Sequence, residues 1–145
     1  MNSLTGAICY YLGQQAGVTA LASSRIYKSR RPQRGDWPAI TIADISGSTG
    51  QHQTAADGIA TARLQIDCWA TSHSAAESLR DAVYDVTDGK GTAAIGPSGA
   101  QVTVIDIETE NLAVEQLAPA DGGQSGDYRG RLDLKINYRR TAPTF

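Results

Sequence analysis

The sequence predicts an α+β fold: a single domain over residues 1–145 in which a mainly antiparallel sheet of four to five strands carries two helices on one face. Residues 60–70 and 128–140 alternate apolar and polar side chains with the two-residue period of a strand that buries one face. Between them, residues 74–88 carry an apolar stripe at helical spacing. Polar, glycine-rich segments separate these stretches, and a sheet covered by helices on a single face buries every stripe at once.

Taken in order, residues 3–16 read as the first helix. Leu4, Ile8, Tyr11 and Leu12 share a face, Ser3 is placed to cap the start and Gly17 to stop it. "RIYKS" (25–29) reads as a short strand, "RRPQRGDWP" (30–38) as a turn region, and the β-branched "AITIADIS" (39–46) as a strand. "GSTGQHQTAADG" (47–58) is polar and without periodicity, a long loop of the kind that carries function. In the strand at 60–70, Leu64, Ile66 and Cys68 turn to the core, while Arg63, Gln65, Asp67 and Trp69 turn away.

"SAAE" (74–77) matches a capping box, with Ser74 as the cap and Glu77 as its reciprocal partner. The helix it opens runs to Asp88, with Asp88-Gly89 as the stop. "GKGTAAIGPSG" (89–99) reads as a loop. Residues 100–114 read as a strand whose alternation changes phase near Val104–Ile105, the mark of a bulge. "EQLAPADGGQSGD" (115–127) reads as a second long polar loop. In the last strand Tyr128, Leu132, Leu134, Ile136 and Tyr138 face the core, and "TAPTF" (141–145) reads as a flexible tail.

With 145 residues, 41% of them hydrophobic and 19% charged, the chain can bury a core without staples. A formal net charge of −2 supplies no global basic field for nucleic acid. No stretch approaches the roughly 20 apolar residues of a membrane span, so no membrane role is expected. The N-terminal stretch lacks a positive n-region and does not read as a signal peptide, which points to synthesis in the cytosol. Cys9 and Cys68 are too few for a disulfide framework and read as free, buried thiols, although the sequence leaves a Cys9–Cys68 bridge open.

The stretch most suggestive of chemistry is "CWATSH" (68–73). A reactive thiol needs an accessible, electropositive setting, and Cys68 falls on an apolar strand face instead. Trp69, on the opposite face, either covers part of a helix or meets a neighbouring subunit. His73 reads as a solvated loop residue. His52 lies in the long loop with Asp57 as its nearest acid and no ligands at metal spacing. The glycines of 89–99 follow a helix and precede a strand, the reverse of a phosphate-binding loop. No catalytic residue, metal ligand or cofactor is therefore expected.

What remains is charge. "KSRRPQR" (28–34) is the one dense basic cluster, and Asp106, Glu108 and Glu110 alternate along a strand. Complementary patches of this kind suit a head-to-tail ring. The candidate partner or subunit interface is accordingly Arg30, Arg31, Arg34, Gln51, His52, Trp69, Asp106, Glu108 and Glu110.

The order of features resembles the tail completion (tail terminator) proteins of long-tailed phages. The shared pattern is an N-terminal helix, then Arg25-Ile26-Tyr27, then Pro38 with Ile40-Thr41-Ile42, then Gln65-Ile66-Asp67-Cys68-Trp69, then a helix opening on Ser74-Ala75-Ala76. The likeness covers roughly residues 4–140, and it rests on order and spacing rather than on any chemically diagnostic motif. It implies a small α/β domain that assembles into a ring, a hexamer in this family, which caps the tail tube and joins it to the head connector. The implied partners are further copies of itself, the tail tube protein and the head completion or connector protein. DNA would be met only in passing through the lumen. The implied location is the virion, at the head–tail junction, after synthesis in the host bacterial cytoplasm. Such proteins catalyse nothing, and the family has no catalytic residue to carry over. Two other readings fit the residues: a different head–tail connector or tail tube subunit, and a small α+β ligand-binding or enzymatic domain.

Overall fold

The computed structural model describes residues 4–28, 38–45, 53–54, 59–99, 101–117 and 127–139. In chain order the elements are α1 (Leu4–Gly13), α2 (Ala16–Ala22), β1 (Ile26–Lys28), β2 (Ala39–Asp44), β3 (Gln53–Thr54), β4 (Ile59–Ala70), α3 (His73–Thr87), β5 (Ala93–Ile95), β6 (Val102–Leu117) and β7 (Asp127–Arg139). The sheet runs β1-β2-β4-β7-β6-β5, with β3 pairing β4 off this path. The α+β class stands, with helices on the core face.

Three details differ from the sequence reading. The sheet, expected to be mainly antiparallel, is mixed, because β1 runs parallel to β2 (Ile26 opposite Ile40). Among the described residues it has seven strands rather than four or five, because β3 and β5 form inside segments that read as loops. Neither short strand has a periodicity of its own. Gln53–Thr54 is held by pairing with Ala60–Thr61, and Ala93–Ile95 by pairing with Val102–Val104. Among the described residues there are also three helices rather than two.

The helix expected at 3–16 is α1, which ends earlier, at Gly13; after Gln14-Gln15 an unexpected second helix, α2, begins at Ala16 and runs to Ala22. The amides of Gln14 and Gln15 reach back three residues, to Tyr11 and Leu12, which tightens the last turn of α1. Gln15 is then extended, and its side-chain amide donates to the Tyr11 carbonyl at 3.2 Å. Gly17 lies inside α2 rather than stopping a helix. The chain instead turns at Ser23, which has φ of 55°. The expected cap Ser3 lies outside the described residues.

α3 starts one residue earlier than expected, and its cap is Ser72, not Ser74: the Ser72 hydroxyl accepts from the Ala75 amide at 3.2 Å. Glu77 faces His73 at 3.7 Å. The Asp88-Gly89 stop is as expected, with Gly89 at φ 72°. From there the chain is tied to β6: the Gly89 amide donates to the Ile107 carbonyl, the Ile107 amide to the Lys90 carbonyl, and the Thr109 amide to Asp88 Oδ1 at 3.0 Å. The Thr109 amide, the chief cause, holds the Asp88 carboxyl below its ordinary range.

The core lies between the helices and one sheet face. Ile8, Leu12 and Val18 from the first two helices and Leu79 from α3 meet Ile40, Ile42, Leu64, Ile66, Ile107, Leu132, Leu134 and Ile136 from the sheet, all fully buried. Burying each such side chain stabilises the fold by about 1.5–3 kcal/mol before ordering costs. α3 packs across β7, β4 and β6, while α1 touches β1 and β2 near one edge and β5 at the other. The sheet therefore curls around α1. The Tyr11 hydroxyl donates to the Val86 carbonyl, locking α1 to the end of α3.

Candidate functional site

The joint at 68–73 is scaffold. Cys68 is fully buried, opposite Ile40 on one side and Gly130 on the other. Burial pushes its thiol far above the ordinary value, and Cys9 is also raised by burial, so neither is poised as a nucleophile. Both are free cysteines. His73 begins α3 and stands edge-on to Tyr128, with ring centroids 6.1 Å apart.

Trp69 faces away from the helices. α3 presses on the sheet at Gly130, where an added Cβ would lie 2.8 Å from the Ala76 carbonyl oxygen and 2.9 Å from Arg80 Cβ. Trp69 stands opposite Arg129, one residue away, and so on the other face. Its indole N–H donates to Thr41 Oγ1 at 2.9 Å, and the Arg129 guanidinium lies 5.7 Å from its ring centre. The helix-covering alternative for Trp69 is thereby excluded.

Trp69 belongs to a polar face spread over β2, β4, β7 and β6, with cross-strand partners in rows. One row holds Trp69, Arg129 and Glu115, with Arg129 Nη2 donating to Glu115 at 2.8 Å. The next holds Thr41, Asp67 and Arg131, and the one after that Gln65, Asp133 and Asn111. Asp133 accepts from Arg131 at 3.2 Å and from Asn111 at 3.4 Å. Asp67 is the unusual member: only 9% exposed although it lies on the polar face. Gln65 donates to both its oxygens at 3.0 Å, and Arg129 Nε stands 3.9 Å away. Burial nevertheless raises the Asp67 carboxyl, with Gln65 and the two arginines only partly opposing it.

The acidic residues singled out from sequence lie on β6, near one edge of this face. Asp106 accepts from Asn137 at 2.8 Å, Glu108 stands opposite Lys135, and Glu110 pairs with Arg63 at 2.8 Å. The expected phase change is a bulge between Val104 and Asp106, and a second one follows between Thr109 and Asn111. Glu110 is the residue left over at that second bulge. Arg30, Arg31, Arg34, Gln51 and His52 lie outside the described residues. Arg25 and exposed Lys28 stand at the sheet's opposite edge, beside and on β1.

Sequence reasoning missed the Asp67–Arg129–Arg131 network. The residues at 67 and 69 and at 129 and 131 alternate in the right phase, but only the register brings them together. Among the described residues no group of His, Cys, Asp or Glu could hold a metal ion. A shallow cleft of about 320 Å³ lies beside Cys9, Gly13, Thr19, Ser23, Ser24 and Ile26 and gathers no charged groups. The arrangement supports contact between surfaces rather than bond-making.

A family model described as "Tail completion protein gp17" matches residues 6–117. Among solved structures, the chain is similar to one from "Virion of native gene transfer agent (GTA) particle", with 18% sequence identity and a TM-score of 0.64, covering 95% of this chain and 96% of that one. At that identity the likeness establishes the fold. No curated protein sequence matches the chain significantly.

Proposed function

The chain belongs to the tail completion protein gp17 family, and on that premise we propose that its subunits form a ring, a hexamer, that caps the tail tube and joins it to the head connector. Family membership makes it a structural, virion-associated tail protein and not an enzyme. The structural neighbour comes from a virion particle, which is also the setting proposed here. The proposed place is the head–tail junction, reached after synthesis in the host cytoplasm. The proposed partners are its own copies, the tail tube protein and the head connector protein, with DNA passing through the lumen.

One observation carries the ring reading. The acidic group at Asp106, Glu108, Glu110 and Glu115 and the basic group at Arg25 and Lys28 belong to strands near opposite edges of one sheet. A subunit with opposite charges at its two flanks associates head to tail, and such contacts close into a ring when the rotation permits. Arg30, Arg31, Arg34, Gln51, His52 and Trp69 remain the proposed further contacts. The test is electron microscopy of particles made with the gene disrupted. Overlong or ragged tail tubes beside separate DNA-filled heads are expected. Intact joined particles, or the absence of tail tubes, would sink the assignment.

A further inference from the structure

Among the described residues, β6 has an open edge. β5 covers only Val102–Val104, and the 88–90 turn covers Ile107 and Thr109 through the bonds described above. Those bonds show which way the backbone points: Ile107 and Thr109 turn their amides away from β7, although they stand opposite Ile136 and Leu134. Backbone direction alternates along an antiparallel strand. The bulge at Glu110 adds one residue and resets the phase, so that Leu112 and Val114 stand opposite Leu132 and Gly130, at the same alternate positions of β7. Leu112 and Val114 therefore also point their N–H and C=O groups outward. No backbone bond beyond the ladder reaches them among the described residues, and Leu112 is 38% exposed.

Long open edges invite pairing, and folded proteins blunt them unless they are used. We infer that this edge, Leu112 to Gln116, pairs with the β1 edge of a second copy of the chain; the inference rests on the ring reading and names its contact. Two arguments select that occupant. Glu110 and Glu115 flank the β6 edge, so pairing β6 with β6 would set like charges side by side. β1 has the matching chemistry. The Ile40 amide bonds to the Arg25 carbonyl, so Arg25 and Tyr27 face β2, while Ile26 and Lys28 face outward; the Ile26 amide is held by the Ser24 carbonyl at 2.9 Å, which leaves the Ile26 carbonyl and the Lys28 backbone groups for the pairing. Lys28 is exposed, and the run "KSRRPQR" continues from it. Because β6 and β1 occupy opposite flanks of the sheet, their pairing leaves one of each edge open on every dimer and continues from copy to copy.

The test uses the full chain and the variant Val114→Pro. Proline removes only an outward amide there and spares the β7 ladder. Sedimentation of the wild type at rising concentration should show a closed ring. In that ring the Leu112 and Val114 amides should exchange hydrogen on the order of 100-fold more slowly than in the monomer. Val114→Pro should fold and associate roughly tenfold or more weakly. If it fails to fold, the exchange measurement on the wild type decides alone. A wild-type ring whose edge amides exchange at the monomer rate would overturn this contact and leave the ring standing. Edge amides that slow only when tail tubes are added would identify the tube as the occupant and also overturn it. A chain that stays monomeric with and without tubes would defeat the ring reading itself.

Discussion

Gly130 is where the sheet and α3 come closest, and a methyl group there would meet backbone rather than a yielding side-chain tip. Gly130→Ala is expected to cost about 1–3 kcal/mol, because α3 must lift from β7 to admit it. Thermal unfolding reads this directly, and an unchanged midpoint would show that α3 does not press there. Asp67 makes a different prediction. Its carboxyl is raised above the ordinary 3.8 chiefly by burial. Between 3.8 and the raised value the folded chain holds more protons than the unfolded one, so stability falls as pH rises through that window. Asp67→Asn removes this titration. Urea midpoints measured across the window should therefore slope less steeply for the variant, and equal slopes would contradict the assignment. The glycine was visible in the sequence as a gap in the apolar alternation of the last strand. The burial of Asp67 was not, since it depends on arginines more than sixty residues away.

At the scale of elements, α3 shows how a local pattern can point one turn-step wrong. Ser72 and Ser74 both precede apolar helical positions, and "SAAE" has the letters of a capping box. The strand end decides between them: Ser72 is the residue with extended backbone (φ −139°, ψ 156°), so its hydroxyl faces the first free amides. Ser72→Ala is expected to destabilise the fold by about 1 kcal/mol, and Ser74→Ala by much less. Denaturant titration of the two variants checks this, and the reverse order would restore Ser74 as the cap. At the N-terminus the first helix was legible and the second was not. The apolar spacing of α1 marked it, but α2 is held by packing on α1 and α3, and neither glutamine between them is a helix breaker by propensity. The bulge near Val104 was legible from its change of phase. The second, at Glu110, was hidden because Thr109 takes a core-side position that an apolar residue would have advertised.

At the scale of the whole molecule, the proposed ring draws on an acidic group on β6 and a basic group at and beyond β1 in the sequence. Arg30→Glu combined with Arg31→Glu is expected to weaken self-association at least roughly tenfold at low salt, with the difference from wild type shrinking as salt screens both. Sedimentation at two ionic strengths measures this. Normal assembly of the doubly reversed chain would remove charge complementarity as the basis of the ring. The acidic partners also have ties inside the subunit, to Arg63 and Asn137, so their strength toward a neighbour depends on how far those ties yield.

By itself the sequence determined the α+β class, the long strands and the third helix. All of these follow from short-range periodicity, which water imposes on any segment with one buried face. It also carried the order of motifs that marks the family. Only the tertiary structure decided the parallel β1–β2 pair, the strands β3 and β5, the buried Asp67 network and the open β6 edge. Each of those depends on which strand lies beside which and in what register, and register is set by contacts between residues far apart in the chain.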